Sequence, residues 1–292
     1  MTIGTWARPG ATTDDGRPAG AATGNRGARR RRTVGAAVRS AVPAAAVVLI
    51  LLIGWQVAVT VLAVRPQILP SPVRVVQQGW LDRADLFANA VATLGVTLAG
   101  FAVSLVVSWV VAVAVDFVPL LRRALVPLLV GSQTLPIIAI APLFIIWFGF
   151  GLLPKVLVVV LTTFFPVAIG LIEGFAAADR DGSKLLAGMG ASRWQQFRYL
   201  RLPGALPRFF TALRIGITYA VVAAIFAEYV GSASGLGIYM ATAKNSFRTD
   251  LVLAAVAITA VLSITLFALT FLVERWVCPW RRPRRGGAER PR

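Results

Sequence analysis

LFANAVATLGVTLAGFAVSLVVSWVVAVAV, the stretch from Leu86 to Val115, runs its whole length without a charged side chain. A helix needs about 20 apolar residues to cross the hydrocarbon core of a bilayer, so this stretch reads as a membrane span with residues to spare. Charge-free stretches of sufficient length recur from Ser40 to Val64, from Ala124 to Pro154 and from Leu251 to Val273. Two further stretches tolerate charges: Val156 to Ala178 contains Glu173, and Phe209 to Gly231 contains Arg214 and Glu228. The expected fold is an all-α polytopic membrane protein with six transmembrane helices.

Composition agrees. Of 292 residues, 57% are hydrophobic and 14% charged, against roughly 45–50% and about 25% in a soluble domain. The run from Ser40 to Val64 is longer than the roughly 7–15 residues of a signal-peptide core, so it counts as a span. Residues 1–39 read as a disordered basic cytoplasmic tail, 40–277 as the membrane domain, and 278–292 as a second basic cytoplasmic tail.

Thirty Lys and Arg against twelve Asp and Glu give a formal charge of +18, which raises nucleic acid as a partner. The six-span reading sorts these charges instead. One face holds the tail through Arg39, the pair Arg122 and Arg123, the loop with Arg180, Lys184, Arg193, Arg198, Arg201 and Arg208, and the tail from Arg275 onward. The other holds only Arg65, Arg74, Arg83, Lys155, Lys244 and Arg248. By the positive-inside rule both termini are cytoplasmic. No nucleic-acid-binding fold motif or aromatic interleaving accompanies the arginines, so no nucleic-acid partner is expected.

The chain has no histidine and one cysteine, Cys278, which excludes His-based triads, His-ligated metals, CxxC pairs and an intrachain disulfide. Its lysines follow Pro154, Ser183 and Ala243, so no Gly-Lys pair and no phosphate-binding P-loop exists. No cofactor is implied, and with sparse carboxylates no catalytic constellation can be assembled.

Residues 179–208 carry their own punctuation. Ser192-Arg193-Trp194-Gln195 fits a capping box, so a short helix should begin after Ser192. Trp194, Phe197 and Leu200 then fall on one face, with Arg193, Gln196 and Arg201 on others. Pro203 is expected to stop this helix and Pro207 to suit the first turn of the next span. Upstream, Lys184 to Met189 reads as another short helix broken at Gly190. Two readings fit: an interfacial hairpin resting on the lipid bilayer, or a docking site for a cytoplasmic partner.

Gly190, nine residues, then Leu200-Arg201-Leu202-Pro203 resembles the signature of binding-protein-dependent ABC importer permeases: Glu-Ala-Ala, three residues, Gly, nine residues, Ile, one residue, Leu-Pro. The branch importing sulfonates, taurine and nitrate is also resembled by Leu69-Pro70-Ser71-Pro72, Leu135 to Ala139, Ala141-Pro142-Leu143, Phe148-Gly149, Phe164-Phe165-Pro166, Ala227-Glu228 and Gly235-Leu236-Gly237. The resemblance covers about residues 45–277. It implies a type I ABC importer permease fold in which the loop is a coupling helix docked on a separate ABC ATPase subunit. It further implies a homodimeric pore and an external solute-binding protein. Gly190, Ala191, Ser192, Trp194, Leu200, Leu202 and Pro203 are the coupling residues so implied. One departure stands out: Lys184-Leu185-Leu186 occupies the place of Glu-Ala-Ala, so a role for that glutamate does not carry over.

The third span has Ser132-Gln133-Thr134 and Pro136 in its middle and Pro142 beyond. Such breaks are tolerated in bilayers where the freed backbone faces protein or a water-filled cavity. Gln133, Thr134 and Pro136 are therefore pathway candidates, joined by Thr162 and Thr163, whose hydroxyls could instead bond their own helix backbone. Arg214 could snorkel to the cytoplasmic surface. Glu228, about 21 Å further along that helix, is a candidate gate or subunit-contact residue near the outer mouth. A secondary carrier would need deep ion-coupling groups and usually an internal repeat, neither of which is evident; a non-transporting scaffold is the other alternative.

Overall fold

The structure is a computed structural model that describes residues 26–134 and 136–279; residues 1–25 and 280–292, with most of both expected tails, lie outside the described residues. The first helix, α1, runs Arg26–Val61, so the expected irregular tail is helical from residue 26, in keeping with the good helix propensity of its Arg and Ala. By its internal contacts the chain divides after Gly54, leaving the first part of α1 as one unit and everything from Trp55 as the second.

Within the second unit α2 (Pro72–Leu81) precedes α3 (Arg83–Phe117), α4 (Pro119–Ser132), α5 (Ile137–Phe148) and α6 (Leu152–Ala176). Then come α7 (Arg180–Gly188), α8 (Arg193–Gln196), a π-helical turn over Phe197–Arg201, α9 (Leu202–Gly231), α10 (Leu236–Asn245) and α11 (Thr249–Val277). Among the described residues every regular element is a helix. Four are long and apolar enough to cross a bilayer: α3, α6, the continuous run Arg193–Gly231, and α11.

The expected third span is two helices rather than one. α4 and α5 meet at the 133–136 break, where Gln133 and Thr134 amides turn back onto the Val130 and Gly131 carbonyls. At 1.5 Å per residue each half is about 20 Å long, too short to cross alone. α2 was not anticipated; Ser71 Oγ accepts from the Arg74 amide at 3.3 Å and Pro72 occupies the first turn, a start built on serine capping and a proline that needs no donor.

α6 forms the centre, packed along α3 and α9. Gly170 and Gly174, one turn apart on α6, face Ala212 and Ala205 of α9; a Cβ on Gly174 would sit 3.0 Å from that of Ala205. Small residues facing each other let two backbones approach closely, which is how helices gain packing energy where lipid removes the hydrophobic drive between them. Phe101, Val159, Val167, Leu171, Ile217 and Val221 fill the rest of this core.

The helix beginning after Ser192 does not stop at Pro203. It passes through the π-helical turn into α9, with Pro203 and Pro207 both accommodated in helix. A π-turn widens the backbone and shifts the bonding register, so the missing amide and the ring of Pro203 fall where the ordinary i to i−4 pattern has already lapsed. The segment from Arg193 and the long helix that follows it are thus one continuous helical rod.

Candidate functional site

The loop from 179 to 203 is capped at every break. The Asp179 carboxylate accepts from the Asp181 amide at 3.1 Å, starting α7. α7 ends in a Schellman arrangement: the Ala191 amide reaches the Leu186 carbonyl at 2.9 Å and the Gly190 amide that of Ala187 at 3.0 Å. Gly190 takes φ +80°, the left-handed conformation this cap requires and that glycine adopts without a Cβ penalty. α8 starts as the spacing predicts, with Gln195 N donating to Ser192 Oγ at 3.2 Å and Ser192 N to Gln195 Oε1 at 2.7 Å.

Rings anchor this segment to the membrane domain. Phe197 is buried and lies 5.4 Å from Phe117 of α3, 5.2 Å from Phe175 of α6 and 5.6 Å from Trp194. Trp109 extends the cluster to Phe175 and Phe209. Arg201 Nη1 donates to both Asp116 oxygens at 2.9 and 3.0 Å.

The expected coupling residues separate into two groups. Gly190, Ser192 and Trp194 are exposed at the tip, whereas Ala191, Leu200, Leu202 and Pro203 are half-buried; Leu202 packs on the core. The apolar side chains that stand out from this segment are Leu185, Met189, Trp194 and Tyr199, between 56% and 75% exposed. Leu185, Met189 and Tyr199 were not singled out from the sequence. Met189 adjoins Gly190, Leu185 belongs to the segment that replaces Glu-Ala-Ala, and Tyr199 carried no signal of its own.

The pathway candidates are likewise divided. Gln133, Thr134 and Pro136 are exposed at the α4–α5 break, and the Thr134 hydroxyl donates to the Gly131 carbonyl. Thr162 and Thr163 donate to the carbonyls of Val158 and Val159 at 2.7 and 2.8 Å, and Thr163 is fully buried. Arg214 forms an ion pair with Glu274 of α11 and lies 5.3 Å from the Phe271 ring centre.

Glu228 is fully buried. Its Oε2 accepts from Thr93 Oγ1 of α3 at 2.8 Å and from the Gly237 amide at 3.0 Å. Thr93 Oγ1 in turn accepts from the Leu236 amide at 2.8 Å, and Asn89 Oδ1 from the Gly235 amide at 2.8 Å. The turn Gly235-Leu236-Gly237 is therefore wrapped around one carboxylate. A Cβ on Gly235 would overlap that carboxylate, and one on Gly237 the Ile225 carbonyl. These are the two places where backbone must come closest.

Beside this turn, Lys155 Nζ donates to Ser232 Oγ at 2.9 Å. Asp250 bridges Arg74 and Arg248 at 3.2 and 3.1 Å, and Tyr239 donates to Asp82 at 2.5 Å. Burial, with the Asp82 carboxylate beside it, pushes the Tyr239 phenol above its ordinary value, so it remains the donor. No cluster of metal-ligating side chains occurs among the described residues.

Comparison with known proteins agrees with this arrangement. The family model for the binding-protein-dependent transport system inner membrane component matches residues 104–282. The formylaminopyrimidine transport permease protein of Halalkalibacterium halodurans is 35% identical over 80% of this chain and 94% of its own length. The riboflavin transport system permease protein of Chloroflexus aurantiacus is 36% identical over 80% and 87%. The taurine transport system permease protein of Escherichia coli is 30% identical over 79% and 86%. Among solved structures, an amino acid ABC transporter crystallised with histidines aligns with TM-score 0.58 at 16% identity, over 68% of this chain and 97% of that one. The inward-facing MetNI methionine ABC transporter aligns with TM-score 0.55 at 18% identity, over 69% and 98%; both show a shared fold. An all-helical, lipid-adapted chain with a capped loop at one end and this extent of similarity belongs to the binding-protein-dependent transport system inner membrane component family, the permease subunits of ABC transporters.

Proposed function

We propose that this chain is the pore-forming subunit of an ATP-driven importer, working as a homodimer with a separate ATPase docked on the 183–203 loop and an external solute-binding protein supplying the solute. The observation that carries the reading is the loop itself: Leu185, Met189, Trp194 and Tyr199 project from a segment fixed by caps, rings and an ion pair. Exposed apolar side chains held on a rigid base are what a partner surface requires. In this reading α1, the α4–α5 pair and the four long helices make six spans, and both termini face the cytoplasm.

The solute is a small organic or inorganic molecule. The motif resemblance favours sulfonates, taurine or nitrate, while the relatives at 35–36% identity are named for formylaminopyrimidine and riboflavin. A secondary carrier is disfavoured because Glu228, Asp250 and Glu274, the buried acids among the described residues, are each engaged by neighbours.

The test is purification of the chain with the ATPase and binding protein encoded beside it, followed by uptake into proteoliposomes. Taurine, an aliphatic sulfonate, nitrate, formylaminopyrimidine and riboflavin form the panel. One of these should enter only with ATP and the ATPase present; uptake that persists without the ATPase refutes the reading.

A further inference from the structure

The outer turn at 235–237 is held by two helices, α9 through Glu228 and α3 through Asn89 and Thr93. Both helices also reach the cytoplasmic loop, but by different means. α9 is continuous with it through the π-turn, so Arg201 and Glu228 are joined by about 40 Å of unbroken helix. α3 ends at Asp116 and Phe117, about 35 Å from Thr93, and meets the loop only through side chains.

Those side chains are of two kinds. Phe117 touches the Phe197 and Trp194 rings at 5.4 and 6.1 Å, contacts whose attraction is largely non-directional and survives sliding. The Arg201–Asp116 pair is directional. Asp116 is 8% exposed and Arg201 35%, and separating them would leave a nearly buried carboxylate without its counter-charge. Arg201 is the last residue of the π-turn, so the ion pair lies at the point where loop becomes span.

We propose that the Arg201–Asp116 pair is the fastening that makes α3 follow the coupling loop, and that Arg201 is thereby a positioning residue for the outer turn. When a partner displaces the loop, α9 and α3 move as one frame, and the contacts of Thr93 with Glu228 and Leu236 are carried along rather than sheared. Without the pair, the end of α3 at Asp116 follows the loop only through ring contacts and its packing on α6 and α9. The proposal rests on the importer reading above, and it names the residues through which ATPase docking is felt on the other side of the membrane.

The experiment uses the complete permease–ATPase complex carrying Ala233→Cys, an exposed position beside the outer turn, in a Cys278→Ser background. The readout is the rate of labelling by a membrane-impermeant maleimide, with ATP plus vanadate and without nucleotide. Arg201→Gln and Asp116→Asn should each shrink the nucleotide-dependent difference about five- to tenfold, the size found for residues along a coupling route, compared at equal amounts of bound ATPase. The exchanged pair Arg201→Asp with Asp116→Arg should restore it. Single variants that keep the full difference, or an exchanged pair that fails to restore it, overturn the fastening. A parent complex that neither holds nor hydrolyses ATP refutes the importer reading and the fastening with it.

Discussion

The two ends of α9 solve opposite problems. At its N-terminal end the segment 185–199 leaves Met189, Trp194 and Tyr199 in the open and buries Phe197 as its anchor. At the outer end the 235–237 turn buries Leu236, both glycines and Glu228. One end leaves apolar groups on the surface; the other encloses a carboxylate whose Oε2 is bonded and whose Oε1 has no hydrogen-bond partner. The difference teaches that a charge inside a span is not by itself a transport group. Glu228 Oε2 accepts from a hydroxyl and an amide and so clasps the turn, while Oε1 has no hydrogen-bond partner.

That contrast can be broken at three points. The largest effect belongs to Gly237→Ala, because the added methyl meets the Ile225 carbonyl and Glu228 with no flexible side chain to yield. It should destabilise the protein by about 3 kcal/mol, read as a lowered unfolding temperature in detergent. Glu228→Ala comes next: the Gly237 amide is left buried without its acceptor, at a cost of about 1–3 kcal/mol, and Glu228→Gln should recover part of this by keeping an oxygen. The smallest effect on stability belongs to Leu185→Ser combined with Met189→Ser, both strongly exposed, within about 0.5 kcal/mol as for ordinary surface changes. This last pair should nevertheless reduce ATPase co-purification. Equal losses of stability at the two ends would erase the distinction between clasp and docking tip.

Much of this was legible in the chain because charge and local spacing report on bilayer burial and caps. The capping box at Ser192 and the glycine turn at Gly190 depend on residues within five positions of one another, so the sequence displays them directly. The break at Gln133 to Pro136 is likewise local. What failed to show was what depends on a third element. Pro203 looks like a stop until the π-turn is seen to absorb it. Arg214 looks like a surface-seeking residue until α11 brings Glu274 beside it. Ala227-Glu228 and Gly235-Leu236-Gly237 were both noticed as motifs, but only folding puts the carboxylate inside the glycine turn, with Thr93 from a helix 135 positions away.

The π-turn over Phe197–Arg201 also sets a phase. An ordinary helix advances about 100° per residue, so dropping one residue from this turn would rewind it and swing everything upstream by roughly that angle. Phe197 would leave its place between Phe117 and Phe175, and the exposed side chains of Trp194 and Met189 would point in a different direction. Substitutions at the tip therefore change one side chain at a time, whereas a single-residue change in the length of this turn would misdirect the whole arm at once.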